Sequence, residues 1–207
     1  VDSVEICNMA LGMLGMPFIT SFGDNNNHAQ LCKRFFPALR DRVLRDHNWS
    51  FATKFCELQQ LNVTSPDPRY AYVCGLPGDI LRIVELIDGR PYRRIGRKIF
   101  VRELPATLVY TARIEDPELF DDTFTEALQY LLAAEIGMAH TRDAQLANLH
   151  RQEYERILAV ARSIDSQENR HAAQNSPPRS FWLTGRGRND DCRPVKWTEG
   201  NAGKQSQ

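Results

Sequence analysis

Apolar residues recur at helical spacing near the start of the chain. Ile6, Met9/Ala10 and Met13 fall on one face, so Val4 to Leu14 reads as a helix. Asp2 or Ser3 can cap it, and Gly15-Met-Pro17 ends it because the proline cannot continue the ladder. A second helical stripe, predicted to begin near Asp24, runs through Cys32, Phe35/Phe36, Leu39 and Val43. Pro37 sits inside it and predicts a kink near Lys33 to Phe36. The polar face carries Lys33, Arg34, Arg40, Asp41, Arg42, Arg45 and Asp46, a pattern that suits a solvated face or an interface between subunits.

The period changes at "RDRVLRDHNWSFATKF". A charged helix meets Trp-Ser-Phe-Ala with no glycine or proline between. Trp49 and Phe51 are expected to pin this turn to the core, and the alternation Phe51, Thr53, Phe55 to begin a strand. From Trp49 to Ile114 short runs rich in Val, Ile, Tyr and Thr alternate with turn signals: Pro77-Gly78-Asp79, Asp88-Gly89-Arg90-Pro91, Gly96-Arg97 and Pro105. "LIDGRPY" and "RRIGRKIF" each read as a hairpin, giving one small antiparallel sheet inserted between helices.

Helical spacing then returns through Phe120, Phe124, Ala127/Leu128, Leu131 and Ile136, with Asp116-Pro117 at the start. After a break near Thr141, a near-heptad seam follows: Leu146, Leu149, Tyr154, Ile157/Leu158, Ala161 and Ile164. It predicts a long helix antiparallel to its predecessor. From about Gln174 the chain is rich in Gly, Pro, Asn, Ser and Arg. Such an arm does not fold alone and is expected to order against a partner. Phe181, Trp182 and Leu183, flanked by Arg179 and Arg186, form its dense apolar cluster and are the expected anchor. The fold class is therefore α+β: mainly an antiparallel helix bundle (1–48 and 115–173), an inserted β subdomain (49–114) and an extended C-terminal arm (174–207).

Composition narrows the function. The chain of 207 residues carries 26 basic and 26 acidic residues, so no overall charge favours nucleic acid or a membrane surface. No apolar run approaches the roughly 20 residues of a membrane span. The start, VDSVEICNMALGMLGM, has no basic leader region, so no signal peptide is expected, and an initiator methionine is expected to have been removed. Five scattered cysteines (Cys7, Cys32, Cys56, Cys74, Cys192) suit reduced structural thiols rather than disulfides or zinc.

Chemical motifs are sparse. His28, His47, His140, His150 and His171 stand in no metal-binding pattern, and no nucleophile elbow or phosphate-cradling glycine loop occurs. No catalytic, cofactor or metal site is expected. The acidic run "RIEDPELFDDTFTE" brackets a helix start and reads as capping. Its alternative reading is a hydrolase acting on envelope carbohydrate through Glu115, Asp121, Asp122 or Glu126. The basic run "GRPYRRIGRK" places Arg90, Tyr92, Arg93, Arg94, Arg97 and Lys98 on the sheet. These cations suit phosphate contacts in a DNA-binding module, an acidic protein partner, or protection of a sheet edge.

Taken in order, "NMALGMLGMPFITSFGD", "AQLCKRFFPALRDRVLRDHNWSFATK", "YAYVCGLPGDILRIVEL" and "LVYTARIEDPELFDDTFTEALQYLLAAEIG" resemble the tail tubular protein A family of short-tailed bacteriophages. The shared pattern is an Ala-Leu-x-x-Leu-Gly helix, Arg-Asp and Leu-Arg on the second helix, Trp-x-Phe-Ala, Leu-Pro-x-Asp, a Tyr to Asp-Pro to Phe run, and a Glu-Ala-Leu helix. It spans residues 4–165. "SFWLTGR" resembles the family's ending more loosely, with Gly185 where a residue such as alanine is expected. The resemblance implies a structural virion protein with no active site. It implies a homo-oligomeric ring of twelve subunits at the head-tail junction, made in the host cytoplasm and joining the portal protein to the tail nozzle, with tail fibres as a further partner. Double-stranded DNA would pass through its lumen without specific binding, past a neutral to acidic surface.

Overall fold

The computed structural model describes residues 1–140 and 143–175. Phe181, Trp182, Leu183, Arg179 and Arg186 lie outside them. Residues 1–167 form one compact unit; a second begins at Glu168.

The chain is mixed helix and sheet. Helices are α1 (Ser3–Met13), α2 (Asn27–Asp46), α3 (Asp122–His140) and α4 (Ala144–Asn175). Strands are β1 (Thr53–Glu57), β2 (Tyr72–Gly75), β3 (Ile80–Leu86), β4 (Arg93–Ile95), β5 (Lys98–Val101) and β6 (Thr107–Ala112). They build two three-stranded antiparallel sheets, ordered β1-β6-β3 and β2-β5-β4, rather than the single sheet expected. The reason lies at Asp88-Gly89. The turn forms, with Gly89 N–H donating to Leu86 O at 2.8 Å, but β3 then pairs with β6 and not with β4. "LIDGRPY" is therefore a crossing between sheets. "RRIGRKIF" is the hairpin predicted: Ile95 faces Lys98 across Gly96, whose φ of 59° a side chain would strain.

Helix α1 is capped by Asp2 and buries Ile6, Cys7, Ala10 and Leu11; Met9 is exposed, so the buried stripe is displaced from the one expected. Helix α2 starts at Asn27 under an Asn26 cap, because Asp24 is engaged by the hydroxyls and N–H groups of Thr20 and Ser21. It continues through Pro37. Proline and Lys33, whose carbonyl loses its partner, are both exposed, so water can satisfy that oxygen. Asp116 caps a 3-10 turn (Pro117–Leu119), and Asp121 rather than Asp116 caps α3, accepting from Phe124 N–H at 2.9 Å.

Helix α3 is the central element, packed on α1 and α2. It buries Phe124, Ala127, Leu128, Leu131, Leu132 and Ile136. Gly137 lets α1's end come close: a Cβ there would stand 3.0 Å from Leu14 Cδ2. On α4, Ala147, His150, Tyr154, Ile157, Leu158 and Ala161 are buried, whereas Leu149 and Ile164, expected in the seam, are 54% and 49% exposed. The inner face of the first sheet joins the same core through Leu108, Tyr110 and Ala112.

Candidate functional site

Two surfaces gather the residues singled out by the sequence. The first is the joint between α2 and the first sheet. Trp49, only 3% exposed, donates its indole N–H to Val43 O at 2.9 Å. Its ring meets Phe124 edge-on at 5.3 Å and His47 at 4.8 Å. Phe51 stacks against Phe120 and Phe124 from within a 3-10 turn (Ser50–Ala52), so the strand begins at Thr53. Phe55 points the other way and is 67% exposed, which corrects the alternation expected from Phe51.

Charges brace this joint. Asp41 accepts from Arg40 at 2.9 Å and, through its other oxygen, from Arg113 Nε at 2.8 Å. Arg40 and Asp41 are buried, which corrects their assignment to a solvated or intersubunit face. Asp46 accepts from the Tyr154 hydroxyl at 2.6 Å, linking α2 to α4; burial first, then Asp46, pushes that phenol well above its usual range. Arg42 and Arg151 both reach Glu135. Arg82 on β3 donates to Arg45 O and to Asn48. On the sheet side, Asp79 accepts from Lys54 at 3.0 Å and Tyr110 at 3.1 Å. Burial alone would raise Asp79, but those donors outweigh it and hold it below the usual carboxylate range; Tyr110 is pushed up to about 12 by burial and by Asp79.

The acidic run adds little to this. Asp116 and Asp121 cap helical turns, and Glu115, Asp122 and Glu126 are exposed. A small cleft beside Trp49 is lined by His47, Asn48, Ser50, Asp121, Thr123 and Ile164. Among the described residues no group of His, Cys, Asp and Glu could hold a metal ion, and no helix is long and apolar enough to cross a membrane.

The second surface is the β4–β5 hairpin. Its cations do not converge. Arg90 pairs with Asp88 and Glu103, each at 3.0 Å. Arg93 reaches Asp67 at 3.2 Å, and Arg97 reaches the carbonyl of Pro77 at 3.3 Å. Asp67 is held below the usual carboxylate range chiefly by Arg69, with Arg93 behind it. Arg94 donates only to Gly96 O, so its charge meets no carboxylate among the described residues, and neither does that of Lys98. Tyr92 turns inward against the core.

Sequence reasoning missed the apolar surface beside these cations. One face of the second sheet, Cys74, Ile99 and Val101, belongs to the main core. The other carries Val73, Phe100 and Ile95 under the loop that holds Val63 and Pro66. Two open clefts, about 620 and 670 Å³ including their mouths, flank Pro66 and share Ile95 and Phe100 as floor. The signal was present: Arg93, Ile95, Lys98 and Phe100 share a face by period-two alternation once the hairpin is placed.

Compared with models of known protein families and with curated proteins, the chain matches none.

Proposed function

We propose that this chain is a structural virion protein, a subunit of the head-to-tail adaptor ring of a short-tailed bacteriophage. In this reading an antiparallel helix bundle carries the β subdomain and the C-terminal arm. The observation that carries it is where the motif residues of the resemblance fall. Asp41, Trp49, Phe51, Asp79, Tyr110 and Phe124 do not line one cleft; they brace the joint between helices and sheet. A ring subunit needs that joint stiff, because a small angular error repeated round a closed ring prevents closure.

The surface of α4 lends support. Leu149, Val160 and Ile164 lie along one side of the helix and are exposed, beside the buried stripe of Ala147, Tyr154, Ile157, Leu158 and Ala161. Apolar residues so placed suit packing of subunit against subunit. The portal, nozzle and fibres remain the partners of this reading, and Trp182 with its neighbours the anchor onto the portal or an adjacent subunit.

Light scattering of the purified chain, alone and mixed with the portal protein of the same phage, tests it. The expected result is a monomer alone and a ring-sized complex on the portal. Trp182→Ala is expected to weaken that capture by on the order of 2 kcal/mol. A chain that stays monomeric and never binds portal overturns the reading.

A further inference from the structure

Strand β4 ends its sheet among the described residues and lies beside the clefts that flank Pro66. Ile95 and Arg93 pair with Lys98 and Phe100 in a ladder closed by a two-residue turn. In such a ladder the closing pair exchanges both bonds, and so does the pair two residues on. The N–H and C=O of Arg94, the intervening residue, therefore point away from β5. The sheet order β2-β5-β4 leaves nothing beyond β4 among the described residues, and no other backbone bond reaches Arg94. An unpaired edge of this kind is a template for one more strand.

Side chains specify what fits. A strand laid along β4 would set its residues opposite Arg93 and Ile95 on the outer face. There they meet Ile95, 51% exposed, and the clefts around Pro66, whose floor is apolar and one of which is rimmed by the paired charges Asp67, Arg69 and Arg93. Its residue opposite Arg94 would stand beside a guanidinium that pairs with no carboxylate among the described residues. Lys98, which also pairs with no carboxylate among the described residues, adds a second cation at the rim. We infer that β4 accepts an extended segment of a different protein in which an acidic residue alternates with apolar ones.

Charge also argues against two nearer occupants. A second copy pairing β4 to β4 would bring the two copies' Arg94 residues together. Residues 176–207 of this chain contain no acidic residue flanked on both sides by apolar ones, and they carry six Lys or Arg against three Asp or Glu. The inference stands apart from the adaptor reading, since it rests only on this edge.

The test uses the full chain and a fluorescein-labelled peptide alternating valine with glutamate, with a valine–lysine peptide as control. Fluorescence anisotropy at low salt is expected to show binding of the acidic peptide only. Hydrogen exchange should show the Arg94 amide protected when that peptide is present. Arg94→Glu replaces attraction with repulsion and is expected to weaken binding about tenfold. Ile95→Asp should weaken it comparably, and an unchanged circular dichroism spectrum confirms that each variant folds. No binding, equal binding of both peptides, or indifference to Arg94→Glu overturns the inference; the cations then serve to block the edge. So does an Arg94 amide already protected in the free protein. Protection independent of concentration assigns the edge to residues 176–207, and protection that rises with concentration assigns it to a second copy.

Discussion

The joint around Trp49 and the hairpin around Arg94 are both built from arginine next to aromatic or aliphatic residues, yet they use charge in opposite ways. At the joint Asp41 bridges Arg40 and Arg113, and Glu115 stands 3.8 Å from Arg40. At the hairpin Arg94 and Lys98 are exposed and pair with no carboxylate among the described residues. Composition does not separate the two. What separates them is whether an acidic residue arrives from a distant part of the chain. Asp41 and Arg113 are 72 positions apart and meet; among the described residues no carboxylate comes to Arg94 in this way. Inward-paired charges fix geometry, while unpaired edge charges are free to select a partner.

The largest break in this comparison is Trp49→Ala. It opens a cavity between Phe124, Phe51 and His47 and removes the indole N–H that donates to Val43 O. Urea unfolding should show a loss of about 3–5 kcal/mol. Any failure of the proposed ring assembly should track that loss and be relieved at low temperature. Asp41→Asn comes next. It keeps shape but removes the charge that faces two guanidinium groups, one of them almost fully buried. A loss of about 2–3 kcal/mol is expected, below that for a fully buried pair because Arg113 is partly in water. A variant as stable as the parent would show that the buried charges at the joint are dispensable.

The joint was legible in the sequence as a place but not as a mechanism. The break in period at Trp49 announced the change from helix to sheet. The aromatic anchors Trp49, Phe51 and Phe124 follow from spacing alone. That Asp41 is buried does not, since on a helix of seven charged residues only tertiary contact decides which one turns inward. The second sheet was illegible for a similar reason. Asp-Gly is a strong hairpin signal, but a turn reports local geometry and not which strand lies beyond it. β6, buried on both faces, outcompetes β4 for β3. The apolar clefts were hidden because Val63 and Pro66 come from a loop with no periodicity. Of the arm, the sequence offers composition and one aromatic cluster, and neither specifies a partner.

A pH series probes α4, midway between the two extremes. His150 is buried beside Tyr130, at 6.1 Å between rings, with its Nε2 unpartnered, and burial lowers its proton affinity below that of a free histidine. The unfolded chain therefore binds the proton first. Stability from this group is fully present above the unfolded value of about 6.5 and is lost as pH falls toward the folded value. Thermal melts from pH 7.5 to 5 should show a falling Tm, with a shallower slope in His150→Leu. Equal slopes would place the titration elsewhere, Asp24, Asp67 and Asp79 being the carboxylates whose losses come at lower pH.

The smallest effect is expected at the hairpin, and its smallness is what gives it meaning. Arg94 is exposed, and its one bond, to Gly96 O, lies within its own turn. Arg94→Glu should change unfolding stability by no more than about 0.5 kcal/mol, the range for surface sites without special contacts. Removing the charge at Asp41 is a smaller electrostatic change than reversing it at Arg94 and yet is expected to cost more, so the pair of measurements isolates context. If Arg94→Glu destabilised the fold as Asp41→Asn does, its guanidinium would be a brace like Arg113. The contrast between a joint that holds the fold together and an edge proposed to select a partner would then fail.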